Sequence, residues 1–125
     1  MIRNFNVDLD TTATRTVPLF RATKPGRLTK GSFSQELDTD GDKVLKIRNA
    51  TRAVDMTANL DIDALAALAG AALVVNTDGS ADFAEGDLIV AVYTVATAGS
   101  VAAGESGIEL DIQEGSAYIS GGIGG

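Results

Sequence analysis

Apolar and polar positions alternate with a period of two along most of the chain, the spacing of half-buried strands. The alternation is strict where Ile108, Leu110 and Ile112 interleave with Glu109, Asp111 and Gln113, predicting a strand with one buried and one acidic face. Over 44–48, Leu45 and Ile47 alternate with Lys46 and Arg48, and over 28–37 Phe33 and Leu37 share a face that serines oppose. Residues 88–96 differ: Leu88, Val90 and Val92 fall on one face, and Ile89, Ala91, Tyr93 and Val95 on the other. A strand apolar on both faces needs cover on both, from a second sheet and from a neighbouring subunit. Residues 16–22 predict a further strand, which Pro18 confines to an edge or to a strand start. A short strand over 53–58 places Val54 and Met56 together, and 73–75 resumes β structure.

Turn chemistry separates these runs. Lys24-Pro25-Gly26 combines a preset φ with glycine freedom, and Asn76-Thr77-Asp78-Gly79-Ser80 is a second turn. The strongest local signal is Asp38-Thr39-Asp40-Gly41-Asp42, where Asp-Gly between two β-like runs predicts a hairpin. One helix is predicted over 62–69: Asp61 caps it, and Ile62, Leu65, Ala66 and Ala69 follow helical spacing before Gly70. The polar, threonine-rich start reads as an extended arm over 1–14, and 115–125 as a glycine-rich tail. Between them, 15–114 forms the domain. Short strands, a turn about every ten residues and one short helix predict a mainly β fold, an antiparallel, jelly-roll-like β-sandwich.

Composition narrows the chemistry. The 125 residues suit one domain, and 19 alanines with 14 glycines leave few large side chains to bury. Neither cysteine nor histidine is present, which excludes thiolate chemistry, disulfides and any imidazole base or ligand. Charge is unevenly spread: residues 1–52 carry ten positive and six negative charges, a net +4, and the remainder carries eleven negative charges and no positive one. A basic part and an acidic part that meet different partners, or each other between subunits, fit this split. No secretory leader is visible, and 62–75, the most apolar stretch, is too short to span a bilayer.

The candidate motifs favour binding over catalysis. Glu36, Asp38, Asp40, Gly41 and Asp42 imitate the start of a calcium loop, but Ile47 stands where the bidentate carboxylate belongs, so no metal is expected. The terminal glycines lack the lysine and helix of a phosphate loop, and serines lack a base. No enzyme and no cofactor are expected. Arg15, Arg21, Lys24, Arg27 and Lys30 form a basic stretch free of acidic residues. An isoelectric point near 4.3 and few aromatics turn this stretch toward a carboxylate-rich protein surface and away from nucleic acid.

Taken in order, Val17-Pro18-Leu19-Phe20-Arg21-Ala22, then a turn, then Leu28-Thr29-Lys30-Gly31-Ser32-Phe33, and later Glu85-Gly86-Asp87-Leu88-Ile89-Val90, carry a resemblance. Over roughly 15–113 the chain resembles the head decoration, or cement, proteins of tailed bacteriophages and related β-sandwich modules of head fibres. The resemblance implies a structural virion protein on the outer capsid surface, bound to the major capsid protein as a homo-trimer, with neither nucleic acid nor membrane as a direct partner. On that reading Arg15, Arg21, Lys24, Arg27 and Lys30 bind the capsid. Small or tail residues, Ala67, Leu68, Tyr118 and Ile123, form the oligomer interface. The alternative is a receptor- or carbohydrate-binding β-sandwich module of a head fibre or tail.

Overall fold

The chain rolls up as a nested antiparallel ribbon, seen in a computed structural model that describes residues 1–9, 14–35, 42–62, 70–97 and 104–115. Its strands are β1 (Ile2–Leu9), β2 (Arg15–Arg21), β3 (Gly26–Gln35), β4 (Asp42–Asn49), β5 (Val54–Asp55), β6 (Leu60–Asp61), β7 (Gly70–Leu73), β8 (Asp82–Phe83), β9 (Leu88–Thr97) and β10 (Gly104–Glu114). Pairing runs from the outside inward. β1 pairs with β10, β2 with β9, β3 with β7 and β8, and β4 with β5 and β6, all antiparallel. Two further ladders, β10 with β3 and β9 with β4, assemble these ribbons into two sheets. The first has the order β1-β10-β3-β7 with β8 also on β3, and the second β2-β9-β4-β5 with β6 also on β4. That nesting, with the chain crossing repeatedly between two sheets, is the double Greek key of a jelly roll.

The inner faces supply the core. β10 contributes Ile108, Leu110 and Ile112, β9 contributes Ile89, Ala91 and Tyr93, and β4 contributes Leu45 and Ile47, each at most 1 % exposed. Within the first sheet Gly31 leaves room for its register neighbours on either side, since a Cβ there would stand 3.0 Å from Leu73 and 3.2 Å from Leu110. A bulge re-phases β3: Lys30 pairs with Asp111 and Leu28 with Ile112, leaving Thr29 extra. Leu28 and Phe33, five positions apart, therefore both face inward. β2 is bulged at Leu19, beside Pro18, and it is an edge strand, as the proline requires.

Three expectations need correction or fall elsewhere. Residues 1–9 are not an arm: β1 pairs with β10 through all eight positions, and Val7 and Leu9 join the core. The alternation of Phe5, Val7 and Leu9 is the signal that the polar partners Asn4, Asn6 and Asp8 obscured. The expected hairpin across 38–42 does not form either, because β3 and β4 lie in different sheets. An Asp-Gly turn reverses the chain, but inner-face burial of Leu45 and Ile47 sends the return strand to the opposite layer. The predicted helix beyond Ile62, the turn residues 36–41 and the tail beyond Gly115 lie outside the described residues.

β9 is covered on its inner face by the opposite sheet. On its outer face Val90 is only 3 % exposed, flanked in register by Pro18 and Arg48, while Leu88, Val92 and Thr94 are half-buried. Lys46 and Arg48 on the same outer face both bond Asp55 of β5. Burial pushes the Asp55 carboxyl up, but the hydrogen bonds from Arg48 and Lys46, and their charges, outweigh it and hold the group below its ordinary 3.8. A carboxylate lowered in the folded chain adds stability above its unfolded value and loses it as pH falls through the folded one. Asp55→Asn is therefore expected to cost about 0.5 kcal/mol at neutral pH, small because the trio is solvent-screened, and progressively less as pH falls to about 2. Urea midpoints across that range check it; an equal cost at both pH values would contradict it.

Candidate functional site

Three connections meet at one end of the sandwich: 22–25 after β2, 50–53 after β4 and 84–87 before β9. Their scaffold is Asp87, 5 % exposed, with Asn49, fully buried. Asn49 Nδ2 donates to Asp87 Oδ2 at 2.8 Å, and the Ala84 amide donates to the same oxygen at 2.9 Å. The other side of Asn49 accepts the Arg52 amide at 3.1 Å. Backbone bonds stitch the loops together: Ala22 N–H to Asp87 O at 2.8 Å, Gly86 N–H to Ala22 O at 2.7 Å, Ala50 N–H to Leu88 O at 2.9 Å. Gly86 holds φ at +90°, a left-handed conformation that glycine adopts freely, so the chain turns into β9 with Asp87 aimed inward. The Gly-Asp step quoted from the sequence is thus a structural clamp.

This clamp presents cations. Arg21 ends β2 and donates to Gly86 O at 2.7 Å, and Lys24 stands exposed on the neighbouring turn. Arg27, at the start of β3, forms an ion pair with Asp82 through two nitrogens. Arg52 donates to Asp82 O at 3.1 Å. Just inside, Arg3 lies 4.7 Å from the Phe20 ring centre and 5.8 Å from that of Phe5, a cation held on stacked aromatic faces. Phe83 closes the cluster edge-on against Phe20. Asp82 and Glu85 are the acidic side chains on these loops that meet solvent.

The five basic residues expected to act together separate. Arg21, Lys24 and Arg27 share this end. Arg15 begins β2 at the opposite end and donates to Asp8 O at 2.6 Å, tying the edge of one sheet to the edge of the other. Lys30 lies on the outer face of the first sheet, opposite Asp111. Sequence reasoning missed Arg3 and Arg52, which only the strand pairing brings here, and it missed Asn49 and Asp87 as their supports. Asn49 continues the inward alternation of Leu45 and Ile47, and that phase was the available signal. Ala67, Leu68, Tyr118 and Ile123 lie outside the described residues.

The rest of the surface is shallow. A depression of about 180 Å³ on the outer face of the first sheet is lined by Asn4, Asn6, Ser32, Ser34 and Glu109 around Gly107. Another, of about 300 Å³, opens at the β3 edge between β7 and β8, with Arg27 and Asp82 on its rim. Among the described residues no group of three or more Asp or Glu converges to hold a metal ion. Comparison with known protein families, with curated proteins and with solved structures finds no match for the chain.

Proposed function

We propose that the chain is a capsid decoration protein that docks on the outer shell of a virion, on the major capsid protein, and reinforces it. The observation that carries the reading is the basic end, where Arg21, Lys24, Arg27 and Arg52 gather on and beside the loops that the buried Asp87–Asn49 pair ties together. Guanidinium groups held in place lose little freedom when they meet carboxylates, so such a surface suits an acidic protein partner. The jelly roll is compatible, being an architecture that capsid and lectin domains both use. Shell reinforcement then requires no chemistry from the chain: each docked copy adds contacts that must break before the shell opens.

Arg21→Glu with Lys24→Glu is expected to lower occupancy on capsids by about a hundredfold at low salt, with the melting temperature little changed. Lys30→Glu, away from this end, should leave occupancy within about twofold. Wild-type binding should also weaken as salt rises. Equal occupancy of the double variant and the wild type, counted on imaged particles, would remove this function. A second reading, glycan or receptor binding, is favoured by the Asn- and Ser-lined depression with Glu109, since such groups bond sugar hydroxyls. Binding to immobilised glycans that Glu109→Ala abolishes, with no affinity for capsids, would select it.

A further inference from the structure

We infer that β1 is a docking edge for a second copy of this chain, joining the two first sheets into one continuous sheet across a two-fold axis centred on Asn4. The inference does not rest on the capsid reading.

Antiparallel ladders alternate between residues that exchange both backbone bonds with the partner strand and residues whose N–H and C=O point the other way. Met1 and Ile112 exchange both bonds, at 2.9 and 2.8 Å. Counting along the ladder, Arg3, Phe5, Val7 and Leu9 therefore bond β10, and Ile2, Asn4, Asn6 and Asp8 turn their backbone groups to the outer edge. At Asp8 the carbonyl already accepts Arg15. Ile2, Asn4 and Asn6 remain, and among the described residues no strand pairs with β1 on that outer side.

The other edges are interrupted along their length and this one is not; its one inward-pointing charge, Arg3, is already held on Phe20 and Phe5. β2 carries Pro18 and the bulge at Leu19. The far edges are broken into two-to-four-residue pieces, β5 with β6 and β7 with β8. Proline, bulges and short segments are the usual guards of an edge. β1 has an unbroken register of eight and neither device. Its first residue, Ile2 at 59 %, and Met1 just before it at 57 % are two of the three large hydrophobic side chains exposed among the described residues.

A second copy fits because the three open residues are self-complementary. Opposed residues in an antiparallel pair share a face, and centring on Asn4 sets Asn4 against Asn4 and Ile2 against Asn6. About six backbone hydrogen bonds form, and the Arg15 cap on Asp8 stays in place on both copies. On the inner face Arg3 of one copy comes opposite Phe5 of the other, repeating the cation-on-ring contact that Arg3 already makes. This two-fold pair stands in place of the trimer expected from the resemblance.

The chain has no cysteine, so single cysteines report the register cleanly. Opposed residues of a bonded pair lie about 5.5 Å apart at Cα, within disulfide reach. Asn4→Cys is expected to form a disulfide-linked dimer at least about tenfold faster than Ser32→Cys, on the same face two strands away. Sedimentation equilibrium of the unmodified chain should give a mass twice the monomer's. Asn4→Pro should return a monomer of unchanged circular dichroism, because that N–H serves no bond to β10. A monomer or a trimer at all concentrations would overturn the inference, as would equal cross-linking rates at Asn4 and Ser32. The cysteine pair and the unmodified chain decide the matter even where Asn4→Pro fails to fold.

Discussion

Asp87→Ala is expected to lower the free energy of unfolding by about 3 kcal/mol, through the buried groups it strands. Asn49 Nδ2 and the Ala84 amide both donate to the Asp87 carboxylate, and Asn49 has no exposed surface from which to recruit water. Asp87→Asn keeps one acceptor oxygen and should cost about half as much. Urea unfolding should show a lower midpoint at an unchanged slope. The loss should also reach the surface: with the clamp gone, Arg21 and Arg52 no longer hang from fixed carbonyls, and under the proposed function capsid occupancy should fall even where the fold survives. A loss below about 1 kcal/mol would show that the loops are held by their backbone bonds alone.

Phe20→Ala should be comparable or larger, about 4 kcal/mol. Its ring stacks on Phe5 at 5.9 Å between centroids and meets Phe83 edge-on at 6.0 Å. Arg3 lies over its face, so truncation removes an aromatic pair, opens a cavity and takes from Arg3 the nearer of its two rings. Phe20→Leu fills most of the volume and should cost about 1.5 kcal/mol. Thermal or urea unfolding separates these; equal losses for the two variants would place the stabilisation in the ring contacts alone, with no share for hydrophobic volume.

What could be read from the residues follows from how local each signal is. The alternation in β10 and the apolar run of β9 each report a strand without reference to the rest of the chain, and both form where they were expected. Partner choice is not local. The Asp-Gly pair before β4 has the sequence of a hairpin turn, yet β3 and β4 lie in different sheets. In β1 the buried set is the sparse one, Phe5, Val7 and Leu9 among asparagines and charges, and a strand lies there because β10 offers an edge over a hundred residues later. The basic end divides the same way. Arg21, Lys24 and Arg27 are neighbours in sequence and stay neighbours in space, whereas Arg3 and Arg52 arrive by topology. Docking of the kind proposed has no local signature, because it would be carried by ordinary surface cations.

The outermost ladder, β1 with β10, has a consequence for how the chain is made. Synthesis delivers about 5–20 residues each second, so β1 waits on the order of ten seconds for its only strand partner among the described residues. β2 waits nearly as long for β9. Through that interval neither sheet can close, and the early strands, which hold nearly all the cations, emerge with no acidic second half to neutralise them. Topology of this non-local kind folds slowly once complete, in milliseconds to seconds. The nascent chain therefore passes through a long open-edged stage, in which the net positive charge of its first 52 residues is what opposes association edge to edge.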